Sequence, residues 1–306
     1  MLQLSVIICT HNPRLEYLNR VFEALRKQTL ALQQWELLLV DNGSKQQLTE
    51  VFDLSWHPSS RIVREDKLGL TPARIRGIEE AKAELLIFVD DDNLLKSNYL
   101  EVIAKQFQEN KLIGILGAGK IIPEFEVQPS AEVMVHTNML ALRNESRAYY
   151  SNELKFSSAI PYGAGTAIRR NLALKYVEAC RNHPMAAALG RTGNALLSGE
   201  DVDMALQVCQ SGYLSAVLPE LELIHIIPQS RLETDYLLRI AAGHAYSHYL
   251  LGKMWGYNKD YKQNAILKRL RYLSKLKRMQ GLAKKIYIAE YKAVEDARLA
   301  WSKAVN

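Results

Sequence analysis

Residues 85–93 read LLIFVDDDN. Five successive apolar residues leave no polar face, so Leu85–Val89 fits a strand covered on both sides rather than one half in water. Asp90, Asp91 and Asp92 follow at once. Three adjacent carboxylates repel one another unless a cation or a basic group offsets them. Hard divalent ions such as Mg²⁺ or Mn²⁺ take oxygen ligands and share them with substrate phosphates. The same triplet in isolation would read equally well as a solvated acidic turn. Its place at the carboxyl end of a buried strand, where open α/β sheets bind their ligands, favours the metal and phosphate reading.

The flanking sequence repeats the pattern. LSVIICT (4–10) is a β-type run, and 14–28 carries Leu15, Leu18, Phe22 and Leu25 at helical spacing. Residues 35–40 predict a second strand that ends on the turn residues Asp41-Asn42-Gly43-Ser44. Ile62 and Val63 predict a short third strand. A helix over 70–83 follows, its start confined by Pro72 to about Thr71. Ser97 is expected to cap a helix through Phe107, and 112–116 is a fifth strand. Strands without a polar face that alternate with helices imply an α/β fold with a mostly parallel sheet, helices on both faces and right-handed crossovers. Three strand ends then carry polar chemistry: Thr10-His11-Asn12, Asp41-Asn42 and the aspartate triplet.

Beyond residue 118 the pattern loosens. Residues 160–168 (IPYGAGTAI) are strand-like and glycine-interrupted, 170–180 is a helix, and 182–198 is a long loop rich in Ala, Gly and Asn. A helix begins at 199, short strands cover 214–218 and 221–226, and from Glu233 the chain is helical. No internal repeat or low-complexity tract occurs.

Composition bounds the class. The 306 residues are 48% hydrophobic and 24% charged, which excludes a disordered chain or a disulfide miniprotein. The apolar stretch 237–252 is broken by Arg239, His244 and His248, so it is not a membrane span. The start MLQLSVIICTHN has no basic region or small-residue cleavage site, so no signal peptide is expected. Cys9, Cys180 and Cys209 are odd in number and widely spaced, which fits a reducing cytoplasm. The net charge is +6, yet nine cations and no acid fall within 262–285, leaving the rest of the chain near −3. That is a mildly acidic body with a basic segment, unlike a nucleic-acid-binding domain. The segment interleaves Leu267, Leu270, Leu273, Leu276 and Leu282 with its cations. It reads either as a helix lying on an anionic membrane surface or as a solvated helix packed on the body.

Seven pieces in order resemble family-2 glycosyltransferases of the GT-A fold: SVIICTHN, LLLVDNGS, DKLGLTPARIRGIEEA, LLIFVDDDN, YGAGTAIRR, SGEDVDMALQVCQSGY and LIHIIPQSR, spanning 4 to about 231. The resemblance implies a GT-A catalytic domain over 1–231, with a nucleotide-sugar-binding half (1–117) and an acceptor half (118–231), followed by a helical extension over 232–306. It implies that Thr10, Asn12 and Asp41 bind the nucleoside of a nucleoside diphosphate sugar, and that Arg74 lies near the pyrophosphate. Ile75 stands where the family more often has Asn. Asp90 is expected on the nucleoside-sugar side, Asp92 on Mn²⁺ or Mg²⁺, and Gly163 and Gly165 against the donor sugar. His225 is either a structural histidine or a partner of the metal or diphosphate. Arg231 is expected to counter diphosphate charge, and His11 to shape the nucleotide pocket. Asp201 of the Glu-Asp pair is the implied general base, although Ser198-Gly-Glu-Asp201 also reads as a helix start capped by Ser198.

The implied function is an inverting hexosyl or N-acetylhexosaminyl transfer from a donor, UDP-linked, to a hydroxyl of a glycan or lipid-linked acceptor, in polysaccharide biosynthesis. The loop 182–198 is expected to close over both substrates. The expected location is the cytoplasm or the inner membrane face, with no nucleic-acid partner. The alternatives are a sugar-phosphate nucleotidyltransferase, which would open with a glycine-rich basic loop in place of Thr10-His11-Asn12-Pro13-Arg14, and an inactive sugar-nucleotide-binding module.

Overall fold

A computed structural model of the chain describes residues 2–193, 195–257 and 265–305. The first half contains β1 (Leu4–Thr10), α1 (Leu15–Arg26), β2 (Trp35–Asp41), β3 (Ser60–Arg64), α2 (Leu70–Glu80), β4 (Leu85–Val89), β5 (Asn93–Leu95) and α3 (Tyr99–Glu109). There follow β6 (Ile113–Phe125), α4 (Ala131–Met134), β7 (Arg143–Asn144), β8 (Tyr149–Ser151), β9 (Ala167–Arg169), α5 (Arg170–Asn182) and α6 (Pro184–Ala187). The chain continues with α7 (Glu200–Gln210), β10 (Leu214–Ile227), α8 (Thr234–Met254), α9 (Ala265–Lys277) and α10 (Gly281–Val305).

The strands form one sheet in the order β3-β2-β1-β4-β9-β6-β10-β5, with β7 beside β6 and β8 beside β10. Its first half, β3-β2-β1-β4, is all parallel. Antiparallel β9 then joins β4 to β6, β6 runs parallel to β10, and β5 closes the path antiparallel to β10. Register places the chemistry. Thr10 lies opposite Asp41, Ile8 opposite Val89, and His225 opposite Asn93. The third pairing carries a residue from late in the chain to the foot of the aspartate triplet.

Alternation along β1, β2 and β4 feeds two cores. Val6, Ile8, Leu37, Leu39, Ile87 and Val89 pack toward Leu18, Phe22 and Tyr99 of α1 and α3. Ile7, Leu38, Val40, Leu86 and Phe88 pack toward α2, α5, α7 and the buried Leu250 and Leu251 of α8. Fully burying one such side chain is worth about 1.5–3 kcal/mol, which explains why these strands have no polar face. A third cluster joins Ile227 at the end of β10 to Leu237 and Ala241 of α8 and to Leu282 and Ile286 of α10. Among the described residues, no helix is long and apolar enough to cross a membrane.

Several local expectations are corrected. Ser97 does not cap α3: Asn98 precedes the first helical residue and makes no side-chain cap bond. Ser198 does not cap α7, where Gly199 takes that place. Of 160–168, only Ala167 and Ile168 pair in the sheet, because Gly165 turns the chain at φ +69° over Tyr99. The strand at 112–116 extends to Phe125. Its glycines mask the signal, and a β-carbon at Gly119 would stand 2.7 Å from the Leu218 backbone, so the strand needs the bare backbone there. Residues 214–218 and 221–226 form one strand with a register shift between Leu218 and Glu222, around Pro219, which has no N–H for the ladder.

Candidate active site

The carboxyl ends of β1 and β4 open on a cavity of about 800 Å³ lined by Thr10, Asn42, Arg74, Asp90, Asp91 and Asp92 on one side. Gly163, Asp201, His225 and Arg231 also line it, and so do Tyr236, Ile240, His244 and His248 of α8. Arg74, Asp90, Asp92, Gly163, Asp201, His225 and Arg231, spread over 158 positions of the chain, thus meet in one place. Asn12, Asp41 and Gly165 stand behind this lining.

Asp92 is the centre of one charge cluster. Its Oδ2 forms an ion pair with Arg231 at 2.9 Å and lies 3.6 Å from His225 Nε2, while Oδ1 accepts from Asn93 Nδ2 at 2.9 Å. Arg231 also reaches His225 Nε2 at 2.9 Å. Burial opposes the Asp92 charge, but Arg231 and His225 hold its carboxyl well below the usual range. Asp91 accepts a hydrogen bond from Thr10 Oγ1. Burial and then the Asp92 charge push the Asp91 carboxyl up to about 7. The Thr10 hydroxyl, expected at the nucleoside, is therefore engaged within the triplet.

The second cluster surrounds Arg74. The guanidinium pairs with Glu200, lies 3.7 Å from Asp90 and sits 5.1 Å over the Phe88 ring. Thr71 Oγ1 donates to the other Glu200 oxygen at 2.9 Å. Burial raises the Glu200 carboxyl, with Arg74 pulling it back. A β-carbon at Gly163 would stand 2.6 Å from Arg74 NH2, so this glycine clears the guanidinium. Gly165 answers a different need: its β-carbon would collide with the Tyr99 hydroxyl, which donates to the Gly165 carbonyl at 2.9 Å.

Asp41 is fixed from two sides, accepting from Ser44 N and Arg64 NH1, each at 2.9 Å. Asn12 has the left-handed φ of 48°, which Asn tolerates, and its Oδ1 accepts from Lys45 N at 2.9 Å. It shapes the loop around His11, whose Nδ1 meets the Asn42 carbonyl at 2.7 Å. Asp201, in the first turn of α7, accepts from Gly163 N at 3.0 Å and Val202 N at 2.8 Å.

A divalent metal can be tested against these residues. Among the described residues, no group of three or more His, Cys, Asp and Glu side chains could hold one. Mg²⁺ and similar ions, however, use one or two carboxylates and complete their shell with waters and phosphates. Asp92 Oδ2 and the His225 Nε2 lone pair face the same gap, now bridged by Arg231. His225 Nδ1 is buried without a hydrogen-bond partner, so the ring is not committed elsewhere. The pair fits such an ion as a partial ligand set once Arg231 turns away.

Sequence reasoning gave no role of its own to Glu200 or Asn42 and passed over Arg191 and the face of α8. Glu200 was legible only as half of the Glu-Asp pair. The α8 face carried a signal in the spacing of four at Tyr236, Ile240, His244 and His248. The loop 182–198 is seated rather than free. Leu70 N donates to the Arg191 carbonyl at 2.9 Å and Ser198 N to Ser247 Oγ at 3.1 Å.

Over 117 residues the chain is 32% identical to the glycosyltransferase GlyG of Streptococcus pneumoniae serotype 4, which covers 37% of this chain and 38% of GlyG. The chain therefore spans well under half the length of that relative. Among solved structures it is similar to the mannosyltransferase PcManGT from Pyrobaculum calidifontis in complex with GDP-Man and Mn²⁺, at a TM-score of 0.57 and 16% identity, covering 99% of this chain and 75% of that one. It is also similar to S. aureus TarS 1–349 in complex with UDP-GlcNAc, at a TM-score of 0.54 and 16% identity, covering 85% of this chain and 68% of that one. These likenesses speak for the fold, which is that of the GT-A glycosyltransferases. The sequence model described as Glycosyl transferase family 2 matches residues 5–176, more than half of the chain and every element from β1 into α5, and on that match the chain belongs to the family.

Proposed function

We propose that the protein is an inverting, metal-dependent transferase that moves a hexosyl or N-acetylhexosaminyl group from a UDP-linked donor to a hydroxyl of a glycan or lipid-linked acceptor. The observation that carries this reading is the presence of Asp201 in the same cavity as the Asp92, His225 and Arg231 cluster. A general base and a diphosphate-stabilising cluster sharing one cavity are the minimum set for direct displacement at an anomeric carbon.

Asp201 is the base. Two backbone N–H groups hold it as an acceptor, oriented to take the proton of the incoming hydroxyl. A single displacement then inverts the anomeric centre. Arg74 and Arg231 neutralise charge on the departing diphosphate. A divalent ion held by Asp92 and His225 would add Lewis-acid stabilisation of the leaving group. Thr10, Asn12 and Asp41 define the nucleoside end, Asp90 and Gly163 the sugar, and Gly165 sets the backbone behind it.

The basic segment supports a place on the inner membrane face. Leu267, Leu270 and Leu273 of α9 are 53%, 56% and 44% exposed. The opposite side of α9 packs on α10 through Tyr272 and Tyr291, with ring centroids 4.1 Å apart. Lys262, in the same segment, lies outside the described residues. Co-sedimentation with anionic but not neutral vesicles is the expected result. Equal recovery with both would remove the membrane assignment.

Hydrolysis of a panel of UDP- and GDP-sugars, with and without Mn²⁺, tests the main reading. One UDP-sugar should be cleaved, with Mn²⁺ required. If no nucleotide sugar is cleaved or bound in either condition, the reading fails.

A further inference from the structure

We propose that α8 and the loop 196–198 form an acceptor subsite for a hydroxyl-bearing group that carries an apolar aglycone. This inference rests on the transferase reading above and names the acceptor chemistry within it.

The cavity has two unlike ends. Its charged groups gather at the strand ends and around Arg191, whereas the opposite wall is built from Phe156, Leu196, Leu197, Ile240, His248 and Leu251. Tyr236, Ile240, His244 and His248 recur every four residues and Leu251 follows three later, so one stripe of α8 faces the cavity. The helix is held against the start of α7. A β-carbon at Gly243 would lie 2.0 Å from the Leu196 carbonyl oxygen, and one at Gly199 would lie 3.1 Å from a Leu251 methyl. Ser198 N bonds Ser247 Oγ at 3.1 Å, three residues before Asp201. The apolar wall is therefore the surface that an acceptor meets as its hydroxyl approaches Asp201.

The mouth of this wall is aromatic. Phe156, 48% exposed, makes an edge contact with His248 at 5.8 Å, and His248 lies 6.0 Å from Tyr257. An exposed Phe has no polar handle to place in water, and a ring cluster at a cavity mouth offers contact area to an apolar group. Burial lowers the pKa of both His244 and His248, which disfavours the charged imidazolium on this wall. An alkyl or aryl group would displace water from six apolar or aromatic side chains on this wall, none of them a lysine or arginine that would hold an anionic acceptor.

The test is calorimetry on the full chain with UDP and Mn²⁺ present, titrating methyl, octyl and phenyl β-glucosides below the micellar concentration of the octyl compound. The octyl or phenyl compound should bind at least tenfold more tightly than the methyl one. A preference for octyl assigns the aglycone to a lipid-like chain, and a preference for phenyl assigns it to a soluble aryl group. Leu197→Asp should weaken the preferred compound at least fivefold, and Phe156→Ser, at an exposed site that cannot unfold the core, at least threefold. Both variants should keep wild-type UDP affinity. Equal binding of all three glucosides, no binding of any, or wild-type glucoside affinity in both variants overturns the subsite. Loss of UDP binding with the apolar preference intact would instead overturn the donor reading and leave this subsite standing.

Discussion

The two ends of the cavity solve opposite physical problems with the same fold. At the charged end, three arginines have carboxylate partners: Arg74 has Glu200, Arg231 has Asp92, and Arg64 has Asp41. Asp41 and Arg64 are brought together by strand register, whereas Arg74 and Glu200 come from α2 and α7. At the α8 wall almost nothing is charged, and position is set by close packing of glycine backbone against carbonyl. Apart from Arg231, which must turn for a metal to enter, the first end is organised before any ligand arrives, and fixed charge is the condition under which electrostatic stabilisation is large. The second offers area and shape, which reward a ligand by the water it displaces. The proposed transfer needs the two at one point, and Asp201 lines the cavity they share.

Four changes would break or sharpen this contrast. Asp201→Asn keeps the shape of the junction and removes its base. Transfer should fall by about 10²–10⁴-fold while donor binding is unchanged. Single-turnover transfer beside donor calorimetry checks it, and near-wild-type turnover would make Asp201 a mere first-turn residue of α7. Next is Arg74→Met at the charged end. It leaves the buried Glu200 uncompensated, so stability should drop by about 3–5 kcal/mol in urea denaturation. A loss below about 1 kcal/mol would mean that the cluster does not behave as a buried ion pair.

At the other end, Gly243→Ala forces a β-carbon against Leu196. Overpacking of this kind costs about 1–3 kcal/mol. Transfer should suffer more than UDP affinity, because the displaced loop leads to Asp201. An equal loss in both would show that the two ends are not separable.

The smallest effect concerns acid. His57, 2% exposed and tilted against the Trp35 ring with centroids 4.1 Å apart, accepts from Ser59 N at 3.1 Å through Nδ1. Burial lowers its pKa from 6.5 to about 4. Between those values the unfolded chain binds the proton and the folded chain does not. The contribution is therefore whole above pH 6.5 and declines as pH falls toward 4. Melting between pH 7.5 and 5 should show a loss of about 1–2 kcal/mol that His57→Gln flattens. An unchanged slope in the variant would assign the acid sensitivity to His244 and His248 on the α8 side.

The contrast also explains what could be read in advance. β1, β2 and β4 end within one residue of expectation, since a strand buried on both faces is largely apolar, with Ser5 and Glu36 as a mutually bonded exception, and the polar residues after it mark its end. The aspartate triplet, Arg74 and the Glu-Asp pair were legible for the same reason: each is a polar signal against an apolar background. The partners were not. That Thr10 would bind Asp91, or Arg64 hold Asp41, depends on side-chain geometry across strands, which spacing along one strand does not encode. The long β6 was hidden by glycines needed for close approach to β10, and the role of α8 by a stripe that reads as ordinary core until its neighbours are known. Gly165 was legible as a special backbone position, but its partner Tyr99 was not.

The contact between Gly243 and Leu196 has a consequence in time. Chains emerge from the ribosome N-terminus first, at about 5–20 residues per second, and fold as they emerge. The parallel strands from β3 to β4 pair with one another, β4 alone waiting for β9, and can assemble early. The loop before Asp201 finds its seat only when Gly243 and Ser247 have emerged and α8 has docked. The strand ends would thus mature before Asp201, the proposed base, is held in place. A chain released at residue 232 would carry every aspartate of the site and still lack the support that positions one of them.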